Sequence, residues 1–159
     1  MRRSGRVPTC RCLILISHFF LPISFPAKGP TLPYSTFEQM PLWQQAHALA
    51  LKVHAASAHL PKQEEYGLTS QLRRAAVSIS ANIAEAYGRF HYRDKLNFYY
   101  HSRGSLYETK SHLLYARDVG YLTTAATTAL LQDLDATLLQ LNTVIATIRD
   151  RLTQSPHPE

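Results

Sequence analysis

A chain of 159 residues with 45% apolar content suits one soluble domain, large enough to bury a single core. Its net charge of +6 invites a nucleic-acid reading, but Arg2, Arg3, Arg6, Arg11 and Lys28 supply most of it before the first acid, Glu38. The two cysteines, Cys10 and Cys12, lie in that same stretch, which excludes a disulfide framework and a Cys-based zinc site from the body of the chain.

The first 34 residues have a basic start and an apolar run from Leu13 to Phe25, as a secretory signal does. His18 and Pro22 interrupt the run and no Ala-x-Ala cleavage site follows it. It is also short for a membrane span. The expectation is an extension, disordered or preceding the true start codon, on a cytoplasmic protein with no membrane partner. Residues 35–154 then form the domain and 155–159 a disordered tail.

The helical period dominates from Glu38. Leu42, Ala46, Leu49, Val53, Ala56 and Leu60 share one face of a first helix, and Pro61 ends it. Trp43 sits beside that face, placed to close one end of a core. A polar connection, "PKQEEYG", leads to a second helix starting near Gly67. Its apolar face comprises Leu68, Leu72, Ala75 or Ala76, Ile79, Ile83, Ala86 or Tyr87, and Phe90. The alanines at 75, 76, 81, 84 and 86 permit close helix approach. Gly88 weakens the helix near its end.

The third helix spans about Tyr92 to Val119, with Leu96, Tyr99, Tyr100, Leu106, Tyr107, Leu113 and Leu114 as its apolar surface and Gly120 as its stop. Thr123 or Thr124 caps the fourth. There Leu131, Leu134, Leu138, Leu141, Ile145, Ile148 and Leu152 alternate steps of three and four, a heptad seam. No strand-period segment competes. Four amphipathic helices with short connections predict an all-α, antiparallel up-down-up-down four-helix bundle.

Catalysis needs a nucleophile, base or metal in a defined constellation. There is no Gly-rich phosphate loop, His-Glu-x-x-His or Gly-x-Ser-x-Gly. His47 and His54 share a face but lie two turns apart, too far for one ion. Glu108 has His112 at i+4, and one such pair does not make a dinuclear site. The reading is therefore a non-enzyme with no metal and no cofactor.

The informative feature is a polar stripe on the second helix: Gln71, Arg74, Ser78, Asn82, Glu85 and Arg89, spaced by threes and fours. At about 100° per residue it borders the apolar face instead of opposing it. Glu85 and Arg89 form an i,i+4 pair in the favourable order. Arg74 needs an acid from another helix or subunit, and Glu108 is the best candidate. Three readings stay open: a solvated edge, a seam between helices or subunits, and a ligand or nucleic-acid contact. Charge bears on the choice. Residues 67–117 hold eight bases against three acids, and residues 118–159 hold two against five. That polarity could guide assembly as readily as attract phosphates. Arg73, Arg74, Arg89, Arg93, Lys95 and Arg103 stand near aromatic residues able to stack on unpaired bases, so they are the possible nucleic-acid contacts.

The segments "FEQMPLWQQAHALAL", "LPKQEEYGLTSQLRRAAVSISANIAEAYGR" and "RGSLYETKSHLLYARDVGYL" carry a family resemblance. The chain resembles, from about Phe37 to Leu152, the four-helix-bundle family named for proteins encoded by intervening sequences in bacterial large ribosomal RNA genes. The run from Arg73 to Glu85 is its most specific part. The family usually has Gly directly after that Glu, where this chain has Ala86 and places Gly88 two residues later. The resemblance implies a bacterial homo-oligomer, a ring-like pentamer, without catalytic activity. RNA association is suggested by the family's genomic setting. The expected function is thus a homo-oligomeric scaffold or binding protein, with an RNA-binding accessory factor as the alternative.

Overall fold

Proline can open a helix but not continue one, because it lacks an N–H and its φ is already helical. Pro41 does this at the first turn of α1 (Pro41–Ser57). The computed structural model describes residues 34–154; the extension and tail expected at 1–33 and 155–159 lie outside the described residues. α2 (Leu68–Gly88), α3 (Tyr92–Asp118) and α4 (Thr124–Gln154) follow, with a 3₁₀ turn at Phe37–Gln39 and another at Lys62–Glu64. Among the described residues there is no strand, and no helix is long and apolar enough to cross a membrane.

The chain folds as a four-helix bundle. Each helix packs on its neighbour in sequence, and α4 closes the ring against α1. The antiparallel sense of α2 and α3 is set out by side-chain bonds. Lys95 near the start of α3 reaches Ala86 and Tyr87 at the end of α2, while Ser102 and Ser105 reach back to Ile79 and Ser78. α3 and α4 run antiparallel in the same way: Tyr92 meets Arg151, Arg103 meets Asn142 and Lys110 meets Asp135.

The core is aliphatic: Leu49, Val53, Leu72, Ile79, Ile83, Leu106, Leu113, Leu134 and Leu141 are almost wholly withdrawn from solvent. Each such side chain contributes about 1.5–3 kcal/mol relative to exposure. Three expected positions differ. Phe90 was expected on the α2 face but is 88% exposed, because α2 stops at Gly88 and Arg89 turns to an extended conformation (φ −77°, ψ 144°). Tyr107 is also exposed, as is Ala81. On α3 the buried stripe runs through Tyr99, Ser102, Leu106, Thr109, Leu113 and Ala116, so it includes the hydroxyls of Ser102 and Thr109. Those hydroxyls find acceptors: Ser102 Oγ donates to the Ile79 carbonyl (2.9 Å) and Thr109 Oγ1 to the Ser105 carbonyl (2.8 Å). A satisfied hydroxyl can be buried at little cost, which is why Ser102 and Thr109 stand in the stripe while Tyr107 does not.

α4 shows the same effect. Thr127, Leu130, Leu134, Thr137, Leu141, Ile145 and Ile148 are buried, while Leu131, Leu138 and Leu152 are only half-buried. Thr127 and Thr137 each donate to the carbonyl four residues earlier, at 3.0 and 2.8 Å. The first half of the helix is therefore rotated by one residue from the leucine seam, and Thr137 takes the place expected of Leu138.

Candidate assembly surface

The polar stripe on α2 divides into two groups. Toward the C-terminal end, Glu85 and Arg89 pair with each other, and the Arg89 guanidinium lies 4.5 Å from the centre of the Phe98 ring on α3. This group is exposed and closed on itself; such a pair is worth only about 0.2–0.5 kcal/mol. In the middle, Asn82 and Ser78 are half-buried. Asn82 Nδ2 donates to the Ser78 carbonyl (2.7 Å) and hydroxyl (3.0 Å), and Ser105 of α3 donates to the same hydroxyl (2.9 Å). The Ser105 bond ties α2 to α3 along the margin of the core.

Toward the N-terminal end the arrangement is open. Gln71, Arg74 and Ser78 of α2 and Glu108 of α3 line one polar hollow, floored by Ala75. Arg74 and Glu108 share it, yet no ion pair joins them. Arg74 has no hydrogen-bond or ionic partner among the described residues, and the base nearest to Glu108 is His112, with Nε2 at 3.8 Å from Oε1. That Nε2 atom is itself buried and without a hydrogen bond. Val77, 59% exposed, adjoins Arg74 on a shallow apolar surface with Ala81. The hollow thus holds a cation and an anion that do not pair with each other.

The other cations expected along this face are dispersed. Arg73 turns back to α1, where its Nε donates to Ser57 Oγ (2.7 Å) and its guanidinium lies 3.6 Å from Glu65. Arg103 faces α4, 3.5 Å from Asn142 Oδ1 and 5.0 Å from the Tyr100 ring centre. Lys95 is buried on the end of α2 and is not offered to solvent. Arg93 is exposed at the start of α3, without a partner among the described residues. No group of three or more His, Cys, Asp or Glu among the described residues is placed to hold a metal ion.

This helical bundle and the Arg73–Glu85 run carry a family signature. Residues 38–143 match the sequence model of the 23S rRNA-intervening sequence protein family. The chain belongs to that family. Its fold is also that of a solved structure, a protein of unknown function from the S23 ribosomal protein family of Bacteroides thetaiotaomicron VPI-5482. The two are 22% identical, with a TM-score of 0.62 over 65% of this chain and 97% of the other. No functionally curated protein matches this chain.

Sequence reasoning picked out Arg74, Ser78 and Glu108 because helical spacing and charge are readable without coordinates. It did not place His112 on the same margin, although the i,i+4 relation to Glu108 was the available signal. Nor did it foresee the burial of Lys95, since its acceptors are backbone carbonyls that carry no sequence mark.

Proposed function

We propose that this member of the 23S rRNA-intervening sequence protein family is a non-enzymatic, homo-oligomeric scaffold whose copies meet along the α2–α3 margin. The observation that carries this reading is Arg74, left without a partner at the rim of a hollow that also holds Glu108. In a ring of identical subunits each copy meets the next through two different surfaces, so an acid elsewhere on the neighbouring copy would answer Arg74. Exposed Val77 and Ala81 add apolar area beside the charges. The number of copies expected from the family resemblance is five.

A second reading, nucleic-acid binding, draws on Arg74 and Arg93, the two cations of the α2–α3 hairpin that lack partners among the described residues, and on the ribosomal RNA in the family's name. One experiment separates the two. Mass is measured by light scattering on the full-length protein, before and after nuclease. Scaffold assembly predicts a multimer that nuclease leaves intact. Arg74→Ala and Glu108→Ala each lower its mass without loss of helicity by circular dichroism. A monomer at high concentration, or unchanged mass in both single variants, overturns the scaffold. Mass that falls on nuclease treatment supports the RNA reading instead.

A further inference from the structure

The bundle has a hollow end. There Tyr87 at the close of α2, Tyr92 and Tyr99 on α3, and Val144 and Ile148 on α4 enclose a cavity of about 260 Å³. Tyr34 forms part of its rim and accepts a hydrogen bond at its carbonyl from the Tyr87 hydroxyl (2.9 Å). The walls are mostly apolar and aromatic, as is usual for sites that bind small molecules, but the space is smaller than the roughly 300–1,000 Å³ of sites for drug-sized ligands.

Its polar groups have one sign. Lys95 and Arg151 line the cavity, and no Asp or Glu does. Lys95 is only 9% exposed. Its ammonium donates to the carbonyls of Ala86 and Tyr87 at 3.4 and 3.3 Å, long bonds that use two of its three N–H groups. Arg151 donates to the Tyr92 hydroxyl at 3.2 Å. The Tyr99 hydroxyl has no hydrogen-bond partner among the described residues. A cation this withdrawn from water is costly unless a negative group accompanies it, and two backbone dipoles answer it only in part. Burial accordingly pulls the Lys95 ammonium below its ordinary pKa.

We propose that this cavity binds a small organic carboxylate with a single-ring apolar body, its carboxylate on Lys95 and Arg151 and its ring among Tyr87, Tyr92 and Tyr99. Aromatic rings prefer offset or edge-on aromatic neighbours, and three tyrosines line this cavity. A carboxylate completes the donor set of Lys95 with a charge-assisted hydrogen bond, the strong kind. An amine ligand meets two like charges, and a neutral amide forgoes the charge. The site is independent of the α2–α3 margin and does not require assembly.

The test is calorimetric titration of the full-length protein with 3-phenylpropionate, 3-phenylpropionamide and 3-phenylpropylamine. The carboxylate is expected to bind about tenfold or more tighter than the amide, as a charge-assisted bond allows, and the amine not to bind. Val144→Phe, which fills the cavity from a half-buried position, abolishes binding. Arg151→Gln, at an exposed position, weakens the carboxylate and leaves the amide unchanged; Lys95→Met does the same wherever circular dichroism shows it folded. Three results overturn the proposal: equal affinity for carboxylate and amide, binding that survives Val144→Phe, or no binding at millimolar carboxylate. The last is the outcome if another part of this chain or a second copy fills the space.

Discussion

The two ends of the bundle solve the same problem differently. Where α1 ends, α2 begins, and α3 turns into α4, the core is plugged by Leu60, Leu68 and Leu122, all buried. Every free helix terminus there finds a partner close by. Glu64 Oε2 accepts from the Leu68 N–H at the start of α2 (3.2 Å), and its other oxygen accepts from the Tyr121 hydroxyl (3.3 Å). Thr123 Oγ1 accepts from the Ala126 N–H at the start of α4 (3.2 Å). At the opposite end, the last carbonyls of α2 are answered by a lysine from another helix, and a cavity remains where a plug would be. One end is closed for stability; the other holds an ammonium and open space, which stability alone does not require.

The largest test of that contrast is truncation at each end. Leu113, fully buried opposite the start of α2, leaves a new hole when cut to alanine, and Leu113→Ala is expected to cost about 2–5 kcal/mol. Val144 already borders empty space, so Val144→Ala creates little new cavity and costs about 1 kcal/mol or less. Urea unfolding at one fixed protein concentration measures both, the concentration being held because assembly adds to apparent stability. Equal losses would mean the hollow end is as tightly packed as the other.

Alkaline unfolding gauges how dry the hollow end is. Burial pushes the Tyr99 phenol up to about 12. In the unfolded chain it ionises near 10, so between those values the folded state keeps a proton that the unfolded state has lost. Its contribution is intact below about pH 10 and disappears as pH rises toward 12, a loss of about 2–3 kcal/mol. The measurement is the difference between wild type and Tyr99→Phe, since the other tyrosines titrate in both. Parallel stability curves would show water reaching the hydroxyl freely, and the cavity would then be a wet cleft.

The contrast also explains what could be read from sequence. The closed end is local: Gly120 and Thr123 stand where a stop and a cap were expected, because each acts on backbone within a few residues of itself. The four helices were legible for the same reason, their apolar periods being properties of single segments. The faces within α3 and α4 were less so. Ser102, Thr109, Thr127 and Thr137 are polar by composition but buried in fact, since each hydroxyl bonds a carbonyl and so carries no visible sign of its burial. The hollow end was illegible because Tyr34, Tyr87, Lys95 and Val144 meet only once four segments fold together. The polar margin lies between these cases. Its α2 half shows in the spacing of Gln71, Arg74 and Ser78, while its α3 half, Ser105, Glu108 and His112, needs the register of two helices.

The smallest effects should differ in sign between the ends. Gly120 closes α3 with φ +81°; its N–H bonds the Arg117 carbonyl (2.9 Å) while the Tyr121 N–H bonds that of Ala116 (2.8 Å), the paired pattern of a left-handed helix stop. A Cβ at Gly120 would meet nothing within 4 Å, so any cost of Gly120→Ala is backbone strain alone, about 1–2 kcal/mol. Gly88 ends α2 at the hollow end, without positive φ and with equally open space around it. There an alanine fits the helical backbone and narrows the freedom of the unfolded chain, so Gly88→Ala is expected to stabilise by about 0.4–1 kcal/mol. Thermal unfolding of the two variants reads both signs in one comparison. Were Gly88→Ala destabilising, the turn leading to Tyr92 and Lys95 would depend on a flexible residue, and the hollow end would be held open by its backbone as well as by its charge.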